Sequence, residues 1–230
     1  MFAPGDVISY IEMCQEEGAS LQRGMNFRLR GGTSVILMSL RRGAPYADRI
    51  EENGKILIYE GHDVSRTKNG PEPKNTDQPR TLPSGKLTQN GLFYDAAKRV
   101  KNSSEKAELV KVYEKLHNGV WVFDGVFALI DAWEEKAKNR VVFKFKLQVS
   151  EVSDTLASQR VDLPHNRMIP AEVKLEVWKR DGGKCVTCGS NENLHFDHVI
   201  PYSLGGSSLV AKNIPLLCAR HNLQKHDKIE

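Results

Sequence analysis

The chain has 230 residues, of which 40% are hydrophobic, so it can bury a core in one large domain or two modest ones. Its formal net charge of +4 is a mild basic bias that permits nucleic-acid binding without requiring it. No stretch approaches the roughly eighteen uninterrupted apolar residues of a membrane span, and the acidic start lacks the basic segment of a signal peptide. These features argue against a membrane partner, and we expect a folded cytoplasmic protein.

The first part of the chain is predicted to contain one helix and two buried strands. Apolar residues at spacings of three and four predict a short amphipathic helix over residues 6–17, with its cap near Asp6. Continuous apolar runs of strand length cover residues 34–40 and 55–60. Cys14 stands alone within the helical pattern, so we expect it to have a structural role.

A long polar segment separates these strands from the next elements. Residues 61–91 are rich in Pro, Gly, Asn and Thr, and basic residues outnumber acidic ones between Arg66 and Lys101. Loops of this length in a compact domain are usually functional or disordered. The segment is therefore either a binding loop or an ordinary solvated surface.

Two helices and two strands are predicted after this loop. The helices lie around residues 92–100 and 106–117, and the strands cover residues 120–133 and 140–150. The last strand alternates apolar and lysine side chains, so one of its faces is expected to be exposed to water. Strands dominate, which predicts an α+β domain built on a curved sheet or barrel with flanking helices.

A domain boundary is predicted where periodicity is lost. Residues 150–170 lack sustained periodicity and end in a segment with two prolines. We therefore assign a first domain to residues 1–150, a linker to 151–170 and a second domain to 171–230. The second domain is short for a hydrophobic core, and a structural metal is the usual remedy at that size.

The second domain contains two pairs of metal-ligand residues. Cys185 and Cys188 form a C-x-x-C pair, and Cys218 and His221 form a C-x-x-H pair. Two such pairs in a small module supply the four ligands of a closed tetrahedral zinc site. We therefore predict that these four residues bind a structural Zn²⁺.

Between the two pairs lies the dipeptide Asp197-His198. A carboxylate can hold a hard cation while a neighbouring imidazole accepts a proton from water, a combination that suits metal-assisted hydrolysis. The segment LLCARHNLQKHDKI at residues 216–229 is predicted to be helical, which places Asn222 and His226 on one face. That face can complete a cation site opposite Asp197, although a solvated helix residue is the alternative interpretation of His226.

The order and spacing of these residues resemble the HNH nuclease family with its zinc-bracketed ββα-metal core. The resemblance covers roughly residues 167–228 and rests on Cys185-x-x-Cys188, Leu194-x-Phe196-Asp197-His198-x-x-Pro201, Gly205-Gly206, Asn213 and Cys218-x-x-His221-Asn222-x-x-Lys225. His221 stands where many members have a fourth cysteine, and histidine is an acceptable zinc ligand.

The resemblance to HNH nucleases implies roles for individual residues. His198 is expected to be the general base, and Asn213 is expected to fix the hairpin that orients it. Asp197 and Asn222 are expected to hold a catalytic Mg²⁺ or Mn²⁺, with His226 as a further candidate ligand. The implied reaction is hydrolysis of phosphodiester bonds, and since one site cuts one strand, we expect a homodimer or two binding events for a double-strand break.

A second set of short motifs lies in the first domain. In chain order they are Tyr59-Glu60-Gly61, then Asp77-Gln78 ahead of a helical segment, then Phe123-Asp124-Gly125. Over about residues 25–150 they resemble SRA domains, also called YDG domains, which bind modified cytosine in DNA. The resemblance implies a curved SRA-like sheet or barrel whose partner is double-stranded DNA.

Base flipping would explain how such a domain senses a substituent on cytosine. The resemblance implies that Tyr46 and Tyr59 stack on the flipped base and that Asp48 accepts a hydrogen bond from its N4 amine. Asp48 follows Tyr46 by two residues where the family has three, so backbone groups can share this recognition. Asp124 is expected to be a structural turn residue.

The same resemblance implies a role for the basic loop, residues 61–91. Loops of base-flipping proteins enter the grooves beside the extruded nucleotide, where cations contact phosphates. The residues expected to make these backbone contacts are Arg66, Lys68, Arg80 and Lys86.

The sequence thus predicts a modification-dependent restriction endonuclease that recognises 5-methylcytosine or 5-hydroxymethylcytosine and cuts with an HNH site. Two alternatives remain. One is an HNH endonuclease of homing or phage type without modification dependence, and the other is a non-catalytic, methylation-sensitive DNA-binding protein. The set Asp197, His198, Asn213 and Asn222 argues against the last, because a structural clamp needs none of them.

Overall fold

A computed structural model describes residues 2–30, 32–68, 70–103, 105–150, 168–199 and 209–226. The strands in these residues are β1 (Val7–Ser9), β2 (Met25–Asn26), β3 (Ser34–Met38), β4 (Arg49–Glu51), β5 (Ile56–Glu60), β6 (Glu108–His117), β7 (Val120–Ala137), β8 (Arg140–Val149), β9 (Leu194–Phe196) and β10 (Leu216–Cys218). The α-helices are α1 (Tyr10–Glu16), α2 (Gln89–Ser103), α3 (Ala171–Asp181) and α4 (Ala219–His226). The predicted α+β class is confirmed.

One large sheet dominates the described residues. Its strand order is β2-β3-β6-β7-β8-β5-β4, with β1 paired to the first residues of β7. Only β3 and β6 run parallel among these pairs, and a register shift between β6 and β7 lies opposite Gly125, whose φ of 109° suits glycine. Such irregularities bend a strand, which fits the predicted curved sheet. Helix α2 covers one face of the sheet, where Phe93 packs in the same core as Phe127 and Phe145.

The predicted helix over residues 106–117 is wrong, because these residues form β6. Lys, Glu and Leu in this segment favour a helix, but Val110 and Val112 are fully buried between β3 and β7. Central pairing in a sheet outweighs weak helix propensity. The helix predicted around residues 92–100 lies within α2, as expected.

The first helix begins later than predicted. Val7–Ser9 form β1, which pairs with β7, and α1 begins after Ser9. Ser9 and Glu12 make a capping box, in which each side chain accepts a hydrogen bond from the other residue's backbone N–H. The cap is therefore Ser9 and not Asp6.

The predicted wet face of β8 is also wrong at Lys144, which is 2% exposed. Its Nζ lies 2.8 Å from Glu60 Oε2 on the neighbouring strand β5. Arg140 reaches the other oxygen of Glu60 at 3.1 Å. Burial of an unpaired charge costs a large free energy, whereas a lysine that pairs with a carboxylate can be buried in a sheet.

The last described residues form a hairpin between two helices. β9 and β10 are antiparallel, and α4 follows β10 without a loop. Helix α3 ends at Gly182 in the left-handed region, and its last turn holds the hairpin. Arg180 donates to the carbonyls of Ala211 and Ile214 at 2.7 and 2.9 Å, and Asp181 accepts from Leu216 N at 3.0 Å.

N-terminal residues connect this hairpin to the large sheet. Gly5 N donates to Phe123 O at 2.8 Å, while Gly5 O accepts from Phe196 N at 3.1 Å. Next to it, Asp6 Oδ1 lies 2.8 Å from His195 Nδ1. A side chain at Gly5 would collide with Phe196 O, so glycine is required at this close approach.

The two parts also share a hydrophobic core and a buried charge cluster. Val122 of β7 packs in one cluster with Val177 of α3 and Phe196 of β9. Lys174 of α3 is 1% exposed and pairs with Glu114 at 2.7 Å and with Asp124. Asp124 therefore lies in a strand, not a turn, and binds a helix of the C-terminal part.

The predicted linker is described only at its end, because residues 151–167 lie outside the described residues. Met168 packs in the core of the large sheet and donates its N–H to Gly54 O at 3.0 Å. No helix of the described residues is long and apolar enough to cross a membrane.

Candidate functional sites

The four predicted zinc ligands lie together. Their ligand atoms are all within 4.8 Å of one another, with Cys188 Sγ 3.8 Å from Cys218 Sγ and His221 Nδ1 3.3 Å from Cys218 Sγ. A tetrahedral zinc ion with ordinary Zn–S and Zn–N bonds separates two sulfurs by about 3.8 Å and sulfur from nitrogen by about 3.5 Å. The cluster therefore fits one tetrahedral metal ion.

The local backbone explains how this cluster forms. Cys185 N donates to Ser190 O at 2.7 Å and Gly189, in the left-handed region, donates to Cys185 O at 2.8 Å, which closes a tight knuckle. Burial opposes ionisation of the Cys185 thiol, but the backbone N–H groups of Cys218 and Cys188 prevail and lower its pKa to about 6. A lowered thiol pKa suits a metal ligand, which binds as thiolate.

The predicted catalytic residues lie at the other end of the hairpin. Asp197 and His198 directly follow β9, and Asn213 ends the short 3-10 helix before β10. Asp197 N donates to Pro215 O at 3.2 Å, and Val199 N donates to Asn213 O at 2.8 Å. These bonds hold His198 across from the segment between Asn213 and Pro215, so the hairpin brings the three residues to one place.

Asn222 has an unusual environment on α4. The residue is 7% exposed, and its Oδ1 is buried without a hydrogen-bond partner in the described residues. α4 packs on β9, the strand that leads into the buried Asp197. Buried oxygens from an amide and a carboxylate are ligands that Mg²⁺ or Mn²⁺ prefers, so these residues fit such a cation. The side chain of His226 lies outside the described part.

A second candidate site is a cavity of about 800 Å³ beside the large sheet. Tyr46, Asp48 and Tyr59, the three residues predicted for a base pocket, all line it. Tyr59 projects from β5, and Asp48 is held by Glu60 N at 2.9 Å. Burial raises the pKa of Asp48 to about 7 and that of Tyr46 above its ordinary value. The structure therefore places the three predicted residues around one cavity.

The cavity contains a histidine that the sequence analysis missed. The His62 ring stacks on Tyr46 with centroids 5.7 Å apart, and its Nε2 lies 3.2 Å from the Tyr59 hydroxyl. Burial lowers the pKa of His62 to about 4, so the imidazole is neutral at physiological pH. Its position one residue after the Tyr59-Glu60-Gly61 motif is the sequence signal that could have identified it.

Buried amides fix the backbone around His62. Asn90 Oδ1 accepts from His62 N at 2.8 Å, and Asn90 Nδ2 donates to His62 O at 2.9 Å. Gln78 Nε2 donates to Gly61 O at 2.6 Å, while its Oε1 accepts from Phe143 N at 2.8 Å. The Asp77-Gln78 motif thus ties the loop after β5 to β8.

The four basic residues predicted to contact phosphates do not line this cavity. Arg66 pairs with Glu72 at 2.8 Å and Arg80 pairs with Asp95 at 2.5 Å, whereas Lys68 and Lys86 are exposed. Three other basic residues do line it, and the sequence analysis missed them because they are far apart in the chain: Arg23, Arg41 and Lys115.

Comparison with known proteins gave a family match near the C-terminal end of the described residues. Residues 185–228 match the family model of the HNH endonuclease. No curated protein matches the chain significantly.

The chain is also similar to several solved structures. The SRA domain of SUVH5 in a complex with methylated CHH DNA has a TM-score of 0.44 at 23% identity, over 63% of this chain and 86% of that chain. The same domain bound to fully hydroxymethylated CG DNA has a TM-score of 0.44 at 22% identity, over 74% and 91%. Arabidopsis thaliana SUVH6 in complex with SAM has a TM-score of 0.45 at 17% identity, over 86% and 31%.

Proposed function

We propose that this protein is a modification-dependent DNA endonuclease. In this proposal, residues 1–150 bind a flipped 5-methylcytosine or 5-hydroxymethylcytosine, and residues 171–230 hydrolyse phosphodiester bonds nearby. The observation that carries the proposal is the HNH match over residues 185–228, on a hairpin whose end holds Asp197, His198 and Asn213. A double-strand break requires two cuts, and one HNH site cuts one strand. The protein therefore acts as a homodimer or cuts in two separate binding events.

The chemistry follows from the side chains at the end of the hairpin. His198 accepts the proton of the attacking water, and Asn213 holds the strand ends that orient the imidazole. Asp197 and Asn222 Oδ1 hold a divalent cation, Mg²⁺ or Mn²⁺, which supplies charge stabilisation at the phosphate when bound. Zn²⁺ on Cys185 and its three partners holds the fold and takes no part in the reaction.

Target choice belongs to the cavity of the large sheet. Tyr46 and Tyr59 supply aromatic faces for a flipped base, and Asp48 accepts from the cytosine N4 amine. Arg23, Arg41 and Lys115 give the cavity a positive lining, which suits the phosphates on either side of an extruded nucleotide. The loop residues Arg66, Lys68, Arg80 and Lys86 remain proposed contacts to the DNA backbone.

A plasmid digest tests both halves of the proposal. Matched plasmids with and without cytosine modification are incubated with the protein and Mg²⁺ or Mn²⁺, next to a His198→Ala variant. We expect the wild type to cut the modified plasmid and the variant to cut neither. Equal cutting of both plasmids would identify an HNH endonuclease without modification dependence, and binding of modified DNA without any cutting would identify a non-catalytic DNA-binding protein.

A further inference from the structure

The cavity proposed to receive a flipped base is partly filled by one of the protein's own rings. The His62 imidazole stacks on Tyr46 at an interplanar angle of 25°, with centroids 5.7 Å apart. Two rings on opposite sides of a stacked base are about 7 Å apart, twice the contact distance of about 3.5 Å. A base therefore has no room between Tyr46 and His62 in this arrangement.

His62 also covers the second tyrosine. Tyr59 is 1% exposed, and its hydroxyl is 3.2 Å from His62 Nε2. The Tyr59 and His62 ring centroids are 6.4 Å apart with the planes tilted by 54°, so no base fits between these two rings either. A base can reach the faces of both tyrosines only after the imidazole has moved.

The surrounding contacts define how the imidazole can move. Two hydrogen bonds with the Asn90 side chain fix the His62 backbone, so only the side-chain torsions remain free. Movement towards Gly24 is blocked, because the ring already packs so closely there that one added carbon would lie 2.9 Å from His62 Nε2. The ring therefore leaves by rotating away from the tyrosines while the loop stays in place.

We propose that His62 is a gate of the base pocket, which fills the slot in the free protein and is displaced by the flipped base. This inference rests on the proposed function. Displacement has the same cost for every base, so the gate lowers the affinity for all flipped bases and leaves their ratio unchanged. Only a base whose contacts in the slot outweigh this cost is then bound more tightly than DNA is bound non-specifically. A slot that is filled nine-tenths of the time weakens apparent binding about tenfold.

The neutral state of the ring agrees with this role. Because burial lowers the pKa of His62 to about 4, the group that leaves the slot at physiological pH is an uncharged imidazole. An uncharged ring can occupy an aromatic slot without a counter-ion, and it stacks there much as a base does.

Binding of labelled duplexes tests the gate. Fluorescence anisotropy without added divalent cation gives the Kd of wild type, His62→Ala and His62→Phe for a duplex with one 5-methylcytosine and for its unmodified match. We expect His62→Ala to bind the modified duplex up to about tenfold more tightly, since the slot is already open. His62→Phe keeps the slot filled, so it should bind no more tightly than wild type. His117→Ala is the matched control, because His117 is exposed and does not line the cavity.

The outcomes separate the gate from the proposed function. Weaker or unchanged binding by His62→Ala, with an unfolding temperature close to wild type, would overturn the gate and indicate a fixed wall of the pocket. Tighter binding by His62→Phe would overturn it as well. If wild type binds both duplexes equally, and 2-aminopurine beside the target cytosine shows no unstacking, the proposed function itself fails.

Discussion

At the scale of single residues, each proposed site contains a polar group that is poorly solvated. Asn222 Oδ1 has no hydrogen-bond partner in the described residues, which costs about 1–3 kcal/mol for a buried acceptor. Asp48 has a pKa raised to about 7 by burial, although it accepts hydrogen bonds from the backbone of Glu60 and Ser39. A bound cation would give Asn222 Oδ1 a partner, and the amine of a bound base would donate a hydrogen bond to Asp48.

Replacement of Asn222 should separate cation binding from folding. In wild type we expect Mg²⁺ to raise the unfolding temperature, because the cation binds only the folded state. Asn222→Leu should lose this rise and lower the cleavage rate by at least about 100-fold. Thermal unfolding with and without Mg²⁺ measures the effect, with the exposed Asn191→Leu as the control. An Mg²⁺-dependent rise in Asn222→Leu equal to that of wild type would contradict the assignment.

Asp48 should make DNA binding depend on pH. Its folded pKa is about 7, and the ionised form is the one that accepts from the cytosine amine. Affinity for the modified duplex should therefore be full above pH 7 and fall as pH decreases through 7, by up to about tenfold per pH unit. Binding of Asp48→Asn should lack this dependence between pH 6 and 8. The same pH slope in both proteins would exclude Asp48 as the group responsible.

At the scale of elements, the two proposed metal sites lie at opposite ends of the hairpin β9–β10. α3 holds the hairpin through Arg180 and Asp181, and Cys218 and His221 join β10 to the start of α4. The hairpin is short, so its geometry depends on what binds at each end.

Loss of the metal cluster should release this hairpin. Cys188→Ser, or chelation of zinc, should increase hydrogen exchange of β9, β10 and α4 and abolish cleavage, because structural zinc supplies folding energy. Cys14→Ser is the matched control, since Cys14 lies outside the cluster. Unchanged exchange in the hairpin after Cys188→Ser would show that the cluster has no structural role.

The sequence predicted elements best where one periodicity was unambiguous. β3, β5, β7 and β8 lie where apolar runs placed them. α4 lies within the helix predicted over residues 216–229, but the first three of these residues form β10 instead. β6 was mistaken for a helix because its buried position depends on strands distant in sequence. The grouping of zinc ligands was predictable from spacing, whereas His62, Arg23, Arg41 and Lys115 meet only through the curvature of the sheet.

At the scale of the whole molecule, the N-terminal residues and α3 join the HNH domain to the large sheet. Gly5 and Asp6 bridge Phe123 on one side and β9 on the other, and Lys174 lies between Glu114 and Asp124. These contacts were not predictable from the sequence alone, because each joins residues fifty or more positions apart. These contacts tie helix α3 and strand β9 directly to the large sheet.

Removal of Lys174 tests this connection. Lys174→Ala leaves two carboxylates buried without their cation, so the free energy of unfolding should fall by about 3–5 kcal/mol. Urea unfolding measures the change, and Lys179→Ala on the exposed face of α3 is the control. A decrease below about 1 kcal/mol would mean that the buried cluster does not hold the two parts together.

One rate comparison tests whether recognition of modified cytosine directs cleavage by the proposed HNH site. Two duplexes differ only in a single cytosine, which is 5-methylated in one, and the initial cleavage rates are measured with Mg²⁺ or Mn²⁺. We expect rapid cleavage of the methylated duplex near the modified base and little cleavage of its match. Equal rates on the two duplexes would show that cytosine modification does not direct cleavage.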